Sequence, residues 1–361
     1  MNSGRIHNFS AGPAVLPLAV LERVRENLLD FESTGIGIME MSHRSAPFEA
    51  IINGTEELLR ELLNISADYA VCFTTGGAST QFAMLPMNLL QPGAEANYII
   101  SGFWSEKAIE EAKKFGTTHA CSSSKTTNFD SIPQNHQFSP RPAYLHFTSN
   151  NTIVGTQFTT EPIAPTGVPL VCDASSDFLH KKLDINKYGL IYAGAQKNLG
   201  PAGVTVVIVR KNLVANAPKT LPVMLNYNTY IANKSLYNTP PVLPIYVVYE
   251  VLKWIKTQGG LAAIEKNNRA KAALLYHEID QGNFYQGYAK TESRSLMNVT
   301  FKLRNESLEK EFLTAAEAAG LSGLKGHKTF GGMRASIYNA CPLASVQALA
   351  EFMRSFATAH G

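Results

Sequence analysis

Cysteine is scarce in this chain: its 361 residues hold only four, Cys72, Cys121, Cys172 and Cys341. They lie far apart, with no CxxC or metal-ligand spacing. This argues against a disulfide framework or a zinc knuckle and leads us to expect free thiols in a reducing compartment. The nine histidines are scattered without HxxxH or Cys/His spacing, so no metal site is expected. No GxGxxG follows an apolar strand, and neither GxxxxGKS nor GxxxxGKT occurs, which removes the common dinucleotide and nucleoside-triphosphate fingerprints. Charge is close to balanced at +3 with no lysine-arginine block, so neither nucleic acid nor an anionic membrane is expected as a partner. No apolar run approaches membrane-spanning length, and the opening MNSGRIHNFS lacks the apolar core of a signal peptide. The expectation is a soluble, cytoplasmic protein.

What is present is ordinary globular material, 45% hydrophobic and 17% charged, in a length that suits two packed domains. Residues 20–31 and 48–63 read as amphipathic helices. Residues 69–74 form a β-rich run, 79–90 a helix, 98–100 a strand, 105–115 a charged helix and 143–147 another strand. The polar stretch 122–142, with three prolines, reads as a loop. Such alternation predicts an α/β protein with a mostly parallel sheet covered by helices on both faces. After the apolar run 245–257 and the breaker Gly259-Gly260 the style changes. Residues 261–279 are a charged helix, 297–303 a strand, 308–319 a helix, 333–338 a strand and 343–359 a closing helix. We expect a large domain over 15–258 and a smaller α+β domain from 1–14 together with 259–361.

The most informative stretch is YGLIYAGAQKNLGPAG, residues 188–203, leading into the apolar run VTVVIVR. Lys197 is the only charge between Lys187 and Arg210, and it sits between a short apolar strand and a glycine-proline turn. That context suits a partly desolvated amine acting as a nucleophile towards carbonyls; a loop lysine capping a carbonyl is the alternative. Upstream, the apolar run LVCD ends in Asp173, followed by Ala174, Ser175 and Ser176. Both side chains are then expected at the carboxyl ends of neighbouring strands, where open α/β sheets bind ligands. A lysine for an aldehyde and a carboxylate for a ring nitrogen together favour pyridoxal phosphate. A helix N-cap remains the alternative for Asp173.

Other segments fit the same chemistry. TTGGAST, residues 74–80, joins a strand to a helix, and its small residues let backbone N–H groups approach a phosphate. Trp104 follows a strand at a helix start, where its ring could stack on a flat cofactor or pack in a core. Two basic clusters lie outside helices, one with His43 and Arg44, the other with His327, Lys328 and the nearby Arg334. They suit anion recognition, although surface charge is an alternative for Lys328.

The segments NFSAGPAVLP, MEMSHRS, GGASTQF, GFWSEKAI, SNNTIVGTQF, AGAQKNLGPAGVT, YNTPP and GHKTFGGMRASIYNA together resemble the phosphoserine aminotransferase family, in the family's order and over nearly the whole chain. The resemblance implies the aspartate-aminotransferase fold (pyridoxal phosphate fold type I) and a homodimer with active sites at the subunit interface. It implies that Lys197 holds pyridoxal phosphate and moves the substrate proton, that Asp173 pairs with the ring nitrogen and that Trp104 stacks on the ring. Gly77, Ala78, Ser79 and Gln196 would hold the cofactor phosphate, and Thr152 would contact the ring hydroxyl side. Asn238 and Thr239 would reach the phosphate in the other subunit. Arg334 would clamp the substrate α-carboxylate, while His43, Arg44, His327 and Lys328 would serve the distal phosphate or carboxylate. The implied reaction is reversible amino transfer between L-glutamate and 3-phosphohydroxypyruvate in serine biosynthesis, with a side reaction in vitamin B6 synthesis.

Two positions depart from the family pattern. Many members have arginine where this chain has Lys328, and some have arginine where it has Ser79. Lysine keeps the charge but loses the planar two-pronged grip on phosphate. A cysteine-desulfurase relative would need a mobile nucleophilic cysteine; Cys341, just past Arg334, is the one thiol near such a place and reads as structural. A non-enzymatic binding role predicts loss of Lys197 or Arg334, and both are present.

Overall fold

Apolar runs end where small or polar residues begin, and these punctuations set the elements of the computed structural model, which describes residues 4–361. The strand β1 (His7–Asn8) precedes helices α1 (Leu18–Glu26) and α2 (Ala46–Leu63). Strands and helices then alternate through β2 (Tyr69–Thr74), α3 (Gly77–Leu89), β3 (Glu95–Ile100), α4 (Phe103–Ala112) and β4 (Thr117–Ser123). Four more strands follow: β5 (Pro142–Thr148), β6 (Leu170–Asp173), β7 (Leu190–Gly194) and β8 (Thr205–Arg210). Short helices α5 (Lys211–Val214) and α6 (Tyr227–Ala232) lead to the long α7 (Val242–Thr257) and α8 (Gly260–Asp280). The chain closes with β9 (Tyr285–Gly287), β10 (Asn298–Leu303), α9 (Glu309–Ala318), β11 (Leu321–Ser322), β12 (Met333–Ser336) and α10 (Leu343–His360).

Seven strands form one sheet in the order β2-β8-β7-β6-β5-β3-β4. Its pairings are parallel from β7 through to β4, whereas β8 runs antiparallel to both β7 and β2. The exception has a simple cause: the connection from β7 to β8 is too short for the helical crossover that a parallel return requires. Its turn is closed by Ala195 N–H donating to Val204 O at 3.0 Å. Successive strand residues alternate between two cores. Leu145, Phe147, Cys172, Ile191 and Val206 pack with α2 and α7, while Tyr144, Val171, Leu190, Tyr192 and Val207 pack with residues of α3 and α4. Burial on both faces explains why these strands read as unbroken apolar runs. Each valine, leucine, isoleucine or phenylalanine among them contributes about 1.5–3 kcal/mol on leaving water.

A third core gathers Phe9, Leu275, Val299, Phe312, Val346 and Met353 around the antiparallel sheet β12-β10-β9. Strand β1 pairs in parallel with β11, which ties the N-terminal residues to this layer. Helix α8 joins both parts of the molecule, with Leu261 and Ile264 in the first core and Leu275 and Ile279 in the third.

Two elements differ from the sequence expectation. The first helix stops at Glu26 rather than continuing to residue 31, because the Asn27 amide donates back to Arg23 O (3.0 Å) and its oxygen accepts from Glu32 N–H (3.0 Å). The stretch read as a loop from residue 122 begins inside β4, an edge strand with mostly polar and partly exposed residues that carry no apolar period. Among the described residues no helix is long and apolar enough to cross a membrane. All four cysteines are free and buried.

Candidate active site

The parallel strands β2, β3, β5, β6 and β7 end at one edge of the sheet, at Thr74, Ile100, Thr148, Asp173 and Gly194. A cleft of about 160 Å³ opens there, lined by Gly76, Gly77, Ala78, Ser79, Trp104, Thr148, Asn150, Thr152, Asp173, Ser175, Ser176, Gln196 and Lys197. Eight sequence-predicted positions therefore meet in one place, although they come from five separate connections.

Lys197 lies in the turn after β7. Its Nζ donates to Thr152 Oγ1 at 2.6 Å and stands 5.6 Å from the Trp104 ring centroid. The N-terminal segment packs against the lysine stem: a Cβ at Gly12 would come 3.2 Å from Lys197 Cγ, and Ala14 N–H donates to Gln196 O at 2.9 Å. Burial pushes the lysine amine down to about 8; the Asp173 carboxylate opposes this and the Arg334 cation adds to it. An amine with that proton affinity carries a sizeable neutral fraction near pH 7, as a nucleophile towards carbonyls needs.

Asp173 ends β6, where it is 3% exposed, and its Oδ1 accepts from Ser175 N–H at 2.9 Å. Burial raises its proton affinity, while the hydrogen bonds to Ser175 and the Lys197 charge pull it back down. At the opposite wall, α3 begins with no side-chain cap. Gly76 has φ +85°, and a Cβ there would sit 1.8 Å from Thr80 Oγ1, so only glycine allows this tight entry. The free N–H groups of the first turn thus border the cleft. Two buried atoms on lining residues, Trp104 Nε1 and Thr148 Oγ1, have no hydrogen-bond partner among the described residues.

Arg334 enters from β12. Its Nη1 donates to the Thr152 carbonyl at 3.2 Å, and its buried Nε has no partner among the described residues. Burial lowers the proton affinity of this guanidinium, which nevertheless stays charged. The His327 ring lies 6.1 Å from the ring of Phe103, the neighbour of Trp104. Burial, then Arg334 and Lys328, lower the His327 proton affinity. Lys328 itself is exposed.

With this geometry the comparisons with known proteins agree. Residues 6–349 match the class-V aminotransferase family model. The phosphoserine aminotransferase of Niallia circulans is 54% identical, over 99% of this chain and 100% of that protein. The chain belongs to the phosphoserine aminotransferase family. Among solved structures, that of the phosphoserine aminotransferase from Bacillus circulans subsp. alkalophilus superposes with a TM-score of 0.97 at 54% identity, covering 99% of this chain and 100% of that one. The pyridoxal-phosphate-bound enzyme from Trichomonas vaginalis reaches 0.93 at 35% identity, covering 97% of this chain and 100% of that one. The fold is therefore that of the fold type I aminotransferases, as the sequence led us to expect.

The family implies pyridoxal phosphate, and the residues of this aminotransferase fit it. The cleft offers an amine of lowered proton affinity, a buried carboxylate, open helix N–H groups suited to a phosphate, and two unpartnered polar atoms. Five lining residues were not named as site residues from the sequence: Gly76, Ser175 and Ser176, which lie inside segments singled out there, and Thr148 and Asn150. All lie at strand ends or in the first few residues beyond them, and that position was the available signal. Seven predicted residues do not line the cleft within one chain: Arg334 meets it through the Thr152 carbonyl, while His327 and Lys328 lie on the loop between β11 and β12. His43 and Arg44 lie on the loop before α2, with Arg44 Nε donating to His43 Nε2 at 3.4 Å. Asn238 and Thr239 are exposed between α6 and α7. Among the described residues no three His, Cys, Asp or Glu side chains cluster as a metal would require.

Proposed function

We propose that this chain catalyses reversible amino transfer between L-glutamate and 3-phosphohydroxypyruvate, giving O-phospho-L-serine and 2-oxoglutarate, with pyridoxal phosphate as cofactor. The observation that carries this reading is the convergence on Thr152. Its hydroxyl accepts from the Lys197 amine (2.6 Å) and its carbonyl from the Arg334 guanidinium (3.2 Å). A nucleophilic amine and a carboxylate clamp one residue apart are what an α-amino acid needs. When bound, pyridoxal phosphate supplies a reactive aldehyde carbon and a protonated ring that accepts the electron pair released at the substrate Cα.

The chain's own groups do the rest. Arg334 binds the α-carboxylate of either substrate and so fixes which Cα bond faces the cofactor. With the cofactor bound, Lys197 would take the Cα proton at Nζ and deliver it to the cofactor carbon two atoms away from Cα. Asp173 keeps a proton on the ring nitrogen by offering a buried negative partner. Trp104 covers one side of the cleft and restricts water. Gly77, Ala78, Ser79 and Gln196 hold the cofactor phosphate, and Thr152 orients the ring through its hydroxyl. His43, Arg44, His327 and Lys328 serve the distal anion.

We further propose a homodimer in which Asn238 and Thr239 complete the partner's site, and a division into 15–258 and 1–14 with 259–361. Support for the dimer comes from the exposure of these two residues and of Tyr237, Leu29 and Met39, which are 52%, 85% and 67% exposed. Mixing inactive Lys197→Ala and Asn238→Ala chains should restore part of the turnover through mixed dimers; additive, unrestored activity would remove that arrangement. The buried free thiols support a reducing, cytoplasmic location. The function itself is tested by the visible absorption of the loaded protein. Bleaching by O-phospho-L-serine and not by L-serine is expected, and indifference to phosphoserine would overturn the substrate.

A further inference from the structure

Helix α8 carries a second buried lysine that the proposed chemistry does not use. Lys271 is 0% exposed, and its Nζ donates to the carbonyls of Ile337 (3.0 Å), Tyr338 (2.6 Å) and Cys341 (3.2 Å). Among the described residues no carboxylate pairs with it. Burial pushes this amine down to about 8, yet three acceptors match the three N–H donors of an ammonium and exceed the two of a neutral amine. A buried cation without a counter-ion is costly unless hydrogen bonds satisfy it. What this one grips is the turn that leaves β12.

That turn reaches the reacting groups from three directions. Arg334 lies three residues before Ile337 on the same run of chain. Tyr338 OH donates to Ala11 O at 2.8 Å, and Ala11 precedes Gly12, the residue packed on the Lys197 stem. Asn339 N–H donates to Asn198 Oδ1 at 2.9 Å, and Asn198 follows Lys197. One helical turn before Lys271, Asn268 Nδ2 donates to Asn339 Oδ1 at 2.7 Å, so α8 holds the turn at two points.

We infer that Lys271 is a positioning residue: by gripping three carbonyls of the turn at 337–341, it sets the Lys197 amine and the Arg334 guanidinium in fixed relation. The inference rests on the proposed roles of Lys197 and Arg334. Lys271 touches neither substrate nor cofactor, and it acts only through the turn. A misplacement of about 1 Å at such a site costs on the order of 100-fold in rate, so a modest loosening should be measurable.

The test uses Lys271→Met, which keeps the length and apolar stem but has no donors. Two readouts separate positioning from simple stability. In the cofactor-free protein, the pH dependence of Lys197 modification by an amine-reactive acylating reagent is followed by peptide mass spectrometry. In the loaded enzyme, kcat/KM is measured for O-phospho-L-serine and for L-glutamate at a temperature where melting shows the variant folded. The expected result is a displaced labelling midpoint, together with a fall in kcat/KM of roughly tenfold or more by a common factor for both substrates. A folded variant with the parent's midpoint and both kcat/KM values within about twofold overturns the inference. Should Lys271→Met not fold, Lys271→Gln decides, because its shorter side chain offers at most two N–H donors to the three carbonyls. A displaced midpoint with a common fall in both kcat/KM values supports the role, and parent values in the folded variant overturn it. Lys197→Ala run alongside keeps the two readings apart. If that variant still turns over, the site assignment fails and takes this inference with it. If it is dead while the folded Lys271 variant behaves as the parent, only the role of Lys271 is lost.

Discussion

Lys197 and Lys271 are both pushed down to about 8 by burial, yet they live in opposite surroundings. Lys271 spends its three donors on three carbonyls inside a sealed layer. Lys197 has one hydrogen bond, to Thr152, and opens onto a cleft. Burial alone therefore does not make a nucleophile. The difference lies in unspent hydrogen-bonding capacity beside space for a ligand, with a carboxylate and a second cation close enough to tune the amine. One lysine is an anchor for the backbone, and the other is free to exchange partners.

The sharpest way to break this contrast is to remove the reactive amine. Lys197→Ala should lower turnover by at least about 1000-fold, since the proposed mechanism gives the Cα proton to its Nζ, while the melting temperature stays near that of the parent. Retained turnover would end the assignment. Arg334→Ala comes next. Both half-reactions should fall together, by about 100-fold in kcat/KM, because in the proposed assignment both substrates present an α-carboxylate to the same guanidinium. A loss confined to one half-reaction would show that the clamp has been misassigned.

A subtler test reads the surroundings of the amine instead of the amine itself. In the cofactor-free protein, acylation of Lys197 should rise through about pH 8, because the neutral amine is the reactive form. Asp173 favours the ammonium, so Asp173→Asn should move that midpoint to lower pH; Arg334 disfavours it, so Arg334→Ala should move it to higher pH. Lys271 should stay unlabelled while the protein is folded. Labelling of both lysines alike would erase the distinction drawn above.

The chemistry was legible in the sequence where strand and site coincide. LVCD and LIYAG are apolar because both faces of the sheet are covered, and the first polar residues beyond them fall at the edge where ligands bind. The contact between Arg334 and Thr152 joins residues 182 positions apart, and no local pattern encodes such a meeting. Lys271 was hidden for a different reason. Within EKNNRAKAALLYHEI it reads as one more charge on a polar helix, since α8 is charged on average. Only the arrival of the turn after β12 shows that Asn268 and Lys271 face inward. The edge strand β4 was lost because its partly exposed residues have no apolar face to report.

The smallest effect concerns the exposed Lys328, on the loop beside His327. An ammonium is a compact point charge, whereas a guanidinium presents paired N–H donors that match two phosphate oxygens at once. Lys328→Arg should therefore lower the KM for O-phospho-L-serine by about two- to fivefold and change that for L-glutamate by less, since a single exposed pair is worth about 1 kcal/mol or under. Because the positive charge is conserved, the depression of the His327 proton affinity by its neighbours should persist, so the pH profile should not move. In Lys328→Ala the loss of charge should let His327 bind its proton at higher pH. Equal KM changes for the two substrates would mean that Lys328 acts as diffuse charge, with no role in selecting phosphate over carboxylate.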